Sequence, residues 1–254
     1  MKFIVIVGTA GSGKSTLTGE LADHMESFGV SVARLNFDPA AETLPYEPEV
    51  DVRDYVSVTE FMDKGLGPNG ALIAAVDSII NNVFDLREKL TSINPDYVIV
   101  DTPGQMELFA YRHGGPLVLD ALTHGYEAMT VFLIDSVFFE KPSSIIASLA
   151  LASSVALRLR KPQVNIVSKS DLLIADIIEE IIPRLSDPLF LAQMVEEDRD
   201  SPGDLKVLMR LIAEALSTAG FIGEVIPVSV NDPRSLDALY AKIQQVLSRG
   251  EDYN

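Results

Sequence analysis

The sequence predicts an α/β fold: a doubly wound, mainly parallel sheet carrying helical insertions. Three observations predict it. Apolar runs of strand length recur, and several are continuous rather than alternating, as suits strands buried on both faces of a parallel sheet. Helical patterns lie between those runs, so strand and helix alternate along the chain. The first run leads straight into a glycine-rich loop and then a helical pattern.

Taken in order, the apolar runs place strands at residues 3–7, 32–37, 97–101, 130–134, 163–167 and 225–228. Helical patterns cover 15–26 and 143–159. Two stretches exceed a simple crossover. The first, about 39–95, holds helix-like pieces at 52–62 and 71–90 with Gly67-Pro68-Asn69-Gly70 between them, a strong turn signal. The second, about 174–220, holds a helix at 189–197, a polar break at 198–203 and a helix at 204–219. No linker, repeat or low-complexity tract divides the chain, so both stretches read as insertions on one domain spanning 1–254, with 249–254 as a frayed tail.

Composition narrows the function classes. The chain has 254 residues, 47% hydrophobic and 22% charged, enough for a sizeable core. It has no cysteine, which excludes disulfides, thiolate metal sites and cysteine nucleophiles. The net charge of -17 repels nucleic-acid phosphate, so direct nucleic-acid binding is not expected. Arg158, Arg160 and Lys161 form the densest basic cluster and read as a solvated helix end. No signal peptide is read ahead of the first strand, and the apolar runs are short or interrupted, which predicts a soluble cytoplasmic protein without a membrane role. His24, His113 and His124 lack ligand spacing, so no histidine metal site is expected.

Residues Gly8 to Thr16 read GTAGSGKST and match G-x-x-x-x-G-K-[ST] between a strand and a helix. In this motif Gly8, Gly11, Ser12 and Gly13 let backbone N–H groups surround phosphates, and the helix dipole adds attraction. Lys14 reaches the β- and γ-phosphates, Ser15 ligates Mg²⁺, and Thr16 closes the motif. The fold class is therefore refined to the P-loop NTPase type. Asp101-Thr102-Pro103-Gly104-Gln105 follows an apolar strand. Asp101 is placed to serve Mg²⁺, directly or through water, and the Gly104 N–H to sense a γ-phosphate.

Ser168-Lys169-Ser170-Asp171 ends another strand. The Asp171 carboxylate would accept two hydrogen bonds from guanine, which adenine cannot donate, while the Lys169 stem lies along the base. Serine stands where N-K-x-D has asparagine. Asp171 or Ser170 also reads as a helix cap, and both roles can coexist. Val230, in the stretch after the last strand, would offer a backbone N–H to guanine O6.

Together GTAGSGKST, Asn36-Phe37-Asp38-Pro39-Ala40, Gly67-Pro68-Asn69, Asp101 to Gln105 and Ser168 to Asp171 resemble the GPN-loop GTPases over the whole chain, and an archaeal member because the chain stops soon after the nucleotide domain. The resemblance implies a parallel sheet and a homodimer in which Gly67-Pro68-Asn69 of one subunit reaches the γ-phosphate region of the other. It implies GTP hydrolysis to GDP and phosphate with Mg²⁺, a role as a nucleotide-controlled assembly factor, and RNA polymerase-related proteins as partners. Asn69 then acts on phosphate or on the attacking water. Asp38, Gln105 and Glu107 are the choices for positioning that water, and Asp38 also reads as a turn residue before proline. Arg112 either senses phosphate or pairs on the surface. A dimeric ATPase or a small-molecule kinase of the same fold class is the alternative.

Overall fold

A computed structural model describes residues 1–248, apart from the side chains at positions 107, 108 and 248. The reading of 249–254 as a tail lies outside the described residues.

Seven strands form one sheet: β1 (Lys2–Gly8), β2 (Val32–Asn36), β3 (Val50–Asp51), β4 (Tyr97–Asp101), β5 (Glu127–Asp135), β6 (Gln163–Ser168) and β7 (Val225–Val228). Their order is β3-β2-β4-β1-β5-β6-β7, and every recorded pairing is parallel. Side chains alternate between two cores, as the pleat requires. Ile4 and Ile6 face a core closed by α1 (Lys14–Glu26) and α10 (Pro233–Ser248). Phe3, Val5 and Val7 face a larger core on the other side. That second core is covered by α4 (Val83–Ile93), α6 (Gly114–Thr123) and α7 (Pro142–Leu159). The apolar runs seen in the sequence follow from this: a central strand buries both of its faces.

By length and composition α7 is apolar enough to cross a membrane. Instead its Ile145, Ile146, Leu149, Ala152, Val155 and Leu159 are buried in the larger core.

The long stretch after β2 departs from its sequence pattern. In place of a helix at 52–62, just after β3, come a 3₁₀ turn at Val52–Asp54 and the short α2 (Val58–Asp63). Asp51 accepts the Arg53 N–H and starts the turn, while the Ser57 hydroxyl accepts the Glu60 N–H and starts α2. The helix expected at 71–90 is two helices, α3 (Pro68–Ser78) and α4, broken by a 3₁₀ turn at Ile79–Asn82. Paired isoleucines and paired asparagines are poor helix formers, which explains the break.

Two helices after β4 had no sequence signal: α5 (Met106–Ala110) and α6. Gly114-Gly115-Pro116 opens α6 and masks it, although proline is tolerated in a first turn. In the last long stretch, α8 (Pro188–Glu197) and α9 (Gly203–Thr218) pack on each other, and α9 packs on α7.

Register fixes the site. Ile6 pairs with Asp101, Asp101 with Asn36, and Gly8 with Leu133. The carboxyl ends of β2, β4, β1 and β5 therefore lie side by side, the edge where open α/β sheets bind ligands.

Candidate functional site

The phosphate loop leaves β1 at Gly8 and enters α1 at Gly13. A side chain at position 8 would meet Ser12 Oγ at 2.7 Å and the Leu133 carbonyl oxygen at 2.9 Å, so only glycine fits. Gly13 caps α1 with φ 89°, in the left-handed region that glycine adopts at least cost. Ser12 is buried. Lys14 is 5% exposed, and its Nζ donates to the carbonyls of Gly8 (3.0 Å) and Thr9 (2.9 Å). The loop thus folds around its own lysine, which keeps a buried cation hydrogen-bonded.

Asp101 ends β4 and is 1% exposed. Burial pushes its carboxyl pKa up; the Ser15 and Tyr46 hydroxyls and the Lys14 charge act the other way, and the Asp38 charge adds to the rise. Tyr46 donates to Asp101 Oδ2 at 2.9 Å. Oδ1 has no hydrogen bond of good geometry among the described residues. A buried carboxylate oxygen left so costs on the order of 1–3 kcal/mol or more. Beside the Ser15 hydroxyl it fits a hard divalent cation, which takes one or two protein oxygens and completes its shell with water and phosphate. Among the described residues no cluster of three or more His, Asp or Glu offers another metal site.

Asp38 sits at the end of β2, facing the loop after β4. Its Oδ1 accepts the Ala40 N–H at 2.9 Å and its Oδ2 the Gly104 N–H at 3.1 Å. Asn36, fully buried, accepts the Asp38 N–H at 3.0 Å and donates to the Asp38 carbonyl at 3.2 Å and to Asp51 Oδ1 at 2.9 Å. Asp51 is itself ion-paired with Arg53. The Asp38 turn therefore rests on a buried polar network.

The base side is a cavity of about 180 Å³ between α1 and the ends of β6 and β7, lined by Gly13, Thr16, Lys169, Asp171, Val230 and Asn231 among others. Asp171 is exposed, and hydrogen bonds from the Ser229 and Asn231 side chains hold its pKa below the usual carboxylate range. It lies in the 3₁₀ turn Ser170–Leu172, where no side chain caps the turn. The capping reading of Ser170 and Asp171 is thereby set aside.

The structure thus brings together Gly8 to Thr16, Asp38, Asp101 and Gly104 on the phosphate side, and Lys169, Asp171 and Val230 on the base side. Gln105 is exposed at the start of α5. Glu107 belongs to α5, but its side chain lies outside the described residues. Asn69 is exposed near the start of α3 and has no hydrogen bond to the phosphate loop among the described residues. Here the turn reading gives way: Gly67 is the N-cap and Pro68 the first residue of a helix. Proline there lacks only an N–H that would be unpaired anyway.

Sequence reasoning missed Tyr46, Asp51, Arg53 and Asp135. Tyr46 lies in a proline-rich loop with no periodicity. Asp135 did carry a signal, because an apolar run ending in aspartate occurs three times, at Asp38, Asp101 and Asp135.

Residues 6–249 match the family described as conserved hypothetical ATP binding protein. GPN-loop GTPase 3 of Dictyostelium discoideum is 33% identical over 255 residues, covering 98% of this chain and 87% of the relative. A GPN-loop GTPase of Pyrococcus abyssi is 37% identical over 172 residues, 67% of this chain and 68% of that one. The chain belongs to the GPN-loop GTPases. A solved structure of a GTPase in apo form from Pyrococcus abyssi matches it with a TM-score of 0.83 at 29% identity, over 96% of this chain and 97% of that one. The family description speaks of ATP and the named relatives of GTP. A carboxylate lining the cavity, as Asp171 does, suits guanine, whose paired donors adenine lacks.

Proposed function

We propose that this GTPase works as a Mg²⁺-dependent cytoplasmic homodimer in which Gly67-Pro68-Asn69 of one subunit completes the γ-phosphate site of the other. The observation that carries the reading is the split in the machinery. Phosphate loop, Asp38, Asp101 and Gly104 converge at the ends of β1, β2 and β4, while Gly67 to Asn69 stands exposed with no neighbour within 4 Å of a Cβ at Gly67. As the uncapped start of an 11-residue helix, the segment presents backbone N–H groups at Asn69 and Gly70 and the positive end of a dipole. A phosphate oxygen is the natural acceptor for such a group.

Within one site the chain's own residues divide the work. Lys14 and the loop N–H groups neutralise the β- and γ-phosphates. Ser15 and Asp101 would hold Mg²⁺, which when bound neutralises charge on the phosphate oxygens. Asp38, braced by Asn36, orients the attacking water and takes up its proton at a carboxylate oxygen. Gly104 turns its N–H from Asp38 to the γ-phosphate and returns it once phosphate leaves. Asn69 from the partner supplies an amide to phosphate or water.

Coupling of dimer shape to GTP suits a nucleotide-controlled assembly factor, and family resemblance makes RNA polymerase-related proteins its candidate clients. The test is sedimentation of the protein with GDP and with a non-hydrolysable GTP analogue, each with and without Mg²⁺, beside phosphate release. Dimerisation and turnover that both require Mg²⁺ support the proposal; turnover by a monomer refutes the shared site.

A further inference from the structure

Asp135 lies outside the groups that would hold phosphate, metal or water. It closes β5 and pairs with Ser168 in the register of β5 with β6. Its two oxygens serve different groups. Oδ1 accepts the Val137 N–H at 3.1 Å and caps the 3₁₀ turn Ser136–Glu140. Oδ2 takes Lys169 Nζ at 2.7 Å, with only 13% of the Asp135 side chain exposed. The same ammonium donates to the Gly11 carbonyl of the phosphate loop at 2.6 Å. Three segments, the ends of β5 and β6 and the phosphate loop, are thus joined at one cation.

The joint sits where the sequence departs from its motif. Serine occupies position 168 in place of asparagine, and among the described residues its hydroxyl reaches only the Ile134 carbonyl, at 3.4 Å. That contact ties β6 to β5 but leaves the phosphate loop unbraced. Lys169 meanwhile has φ 56°, a backbone conformation unfavourable for a residue with a side chain and held here by its surroundings.

We propose that Asp135 is a positioning residue for nucleotide binding, holding Lys169 along the base cavity and against Gly11 and so replacing the missing asparagine brace. The proposal rests on the guanine-nucleotide reading of that cavity. A lysine pinned at both Asp135 and Gly11 keeps its stem in the cavity wall, which Gly13 also lines. The stem packs against any purine alike, so Asp135 governs affinity, whereas Asp171 governs choice of base. Charge alone predicts the opposite sign. Removing a carboxylate near an anionic ligand tightens binding, whereas removing a brace weakens it.

Asp135→Asn separates the two, because its side-chain oxygen still caps Val137 while the charge holding Lys169 is lost. Asp135→Ser, which also keeps a cap acceptor, repeats the measurement independently. Titration of the full chain with GDP and with IDP should show both affinities falling about tenfold, with their ratio unchanged. In a Lys169→Ala background, Asp135→Asn should add less than about a twofold further change, since both act through one joint. Unchanged or tighter GDP binding by Asp135→Asn, or effects that multiply with those of Lys169→Ala, would overturn the proposal. Wild-type protein that binds no GDP would overturn the guanine reading itself, and the proposal with it.

Discussion

The Gly104 N–H donates to Asp38 Oδ2 at 3.1 Å, so the donor suited to a γ-phosphate and the carboxylate suited to a water are bonded to each other. Neither serves substrate fully while so paired. A γ-phosphate oxygen that captures the Gly104 N–H releases Asp38 Oδ2, and Asn36 keeps the rest of the turn in place. In the proposed reaction, phosphate binding and activation of water would thereby be linked through one hydrogen bond.

Asp38→Ala should lower the single-turnover rate of GTP hydrolysis about 10²–10⁴-fold, the usual share of a general base. It should also raise the affinity for GTP relative to GDP, because the Gly104 N–H no longer has an internal acceptor. Rapid quench and nucleotide titration read the two effects separately. An unchanged rate would return Asp38 to a turn residue and pass the water to Gln105 or Glu107.

Asp171→Asn should weaken GTP binding about 10–100-fold and favour xanthosine triphosphate, because an amide cannot accept from both guanine donors. The pH dependence follows from the lowered pKa of Asp171. Its charged form is the one the fold favours, so its contribution is complete above the usual carboxylate range and is lost only as pH falls through the lower folded value. GTP selectivity should therefore be flat from neutral pH to about pH 5, well above the reference carboxylate value. Full GTP preference in the variant would contradict the base assignment.

Asp101→Asn should separate stability from activity. Burial raises the folded pKa of Asp101, so its favourable contribution is complete below the usual carboxylate range and is lost as pH rises through the raised value. Above that raised value the charged carboxylate opposes folding. The neutral amide, still able to accept from Tyr46, should raise the melting temperature measured in chelator without nucleotide. The gain should fade in acid, and turnover should be lost at every pH. A variant that melts lower at pH 7 would show that Asp101 is stabilised as a carboxylate in the folded protein.

Much of the sheet was legible because its strands are buried on both faces and read as continuous apolar runs. The phosphate loop was legible because its glycines are forced: position 8 has no room, and position 13 has positive φ. The helices around the site were harder. Gly114-Gly115-Pro116 hides α6, and two residues are too few to announce β3. At the Gly67-Pro68 step the chemistry was right but its consequence was not, since proline after glycine starts a helix as readily as it makes a turn. Asn36, Tyr46 and Asp135 act by holding other groups. Such roles depend on partners distant in sequence (Tyr46 lies 55 positions from Asp101), and no local pattern encodes them.

If Asn69 acts on the site of a second subunit, mixing Asn69→Ala with Lys14→Ala protein should reveal it. Each homodimer should be impaired, whereas a mixed dimer holds one composite site with an intact phosphate loop and an intact Asn69. With subunit exchange verified, GTP hydrolysis should return to about half the wild-type rate per mixed dimer. A mixture no more active than its parents, or an Asn69→Ala homodimer that turns over like wild type, would contradict the claim.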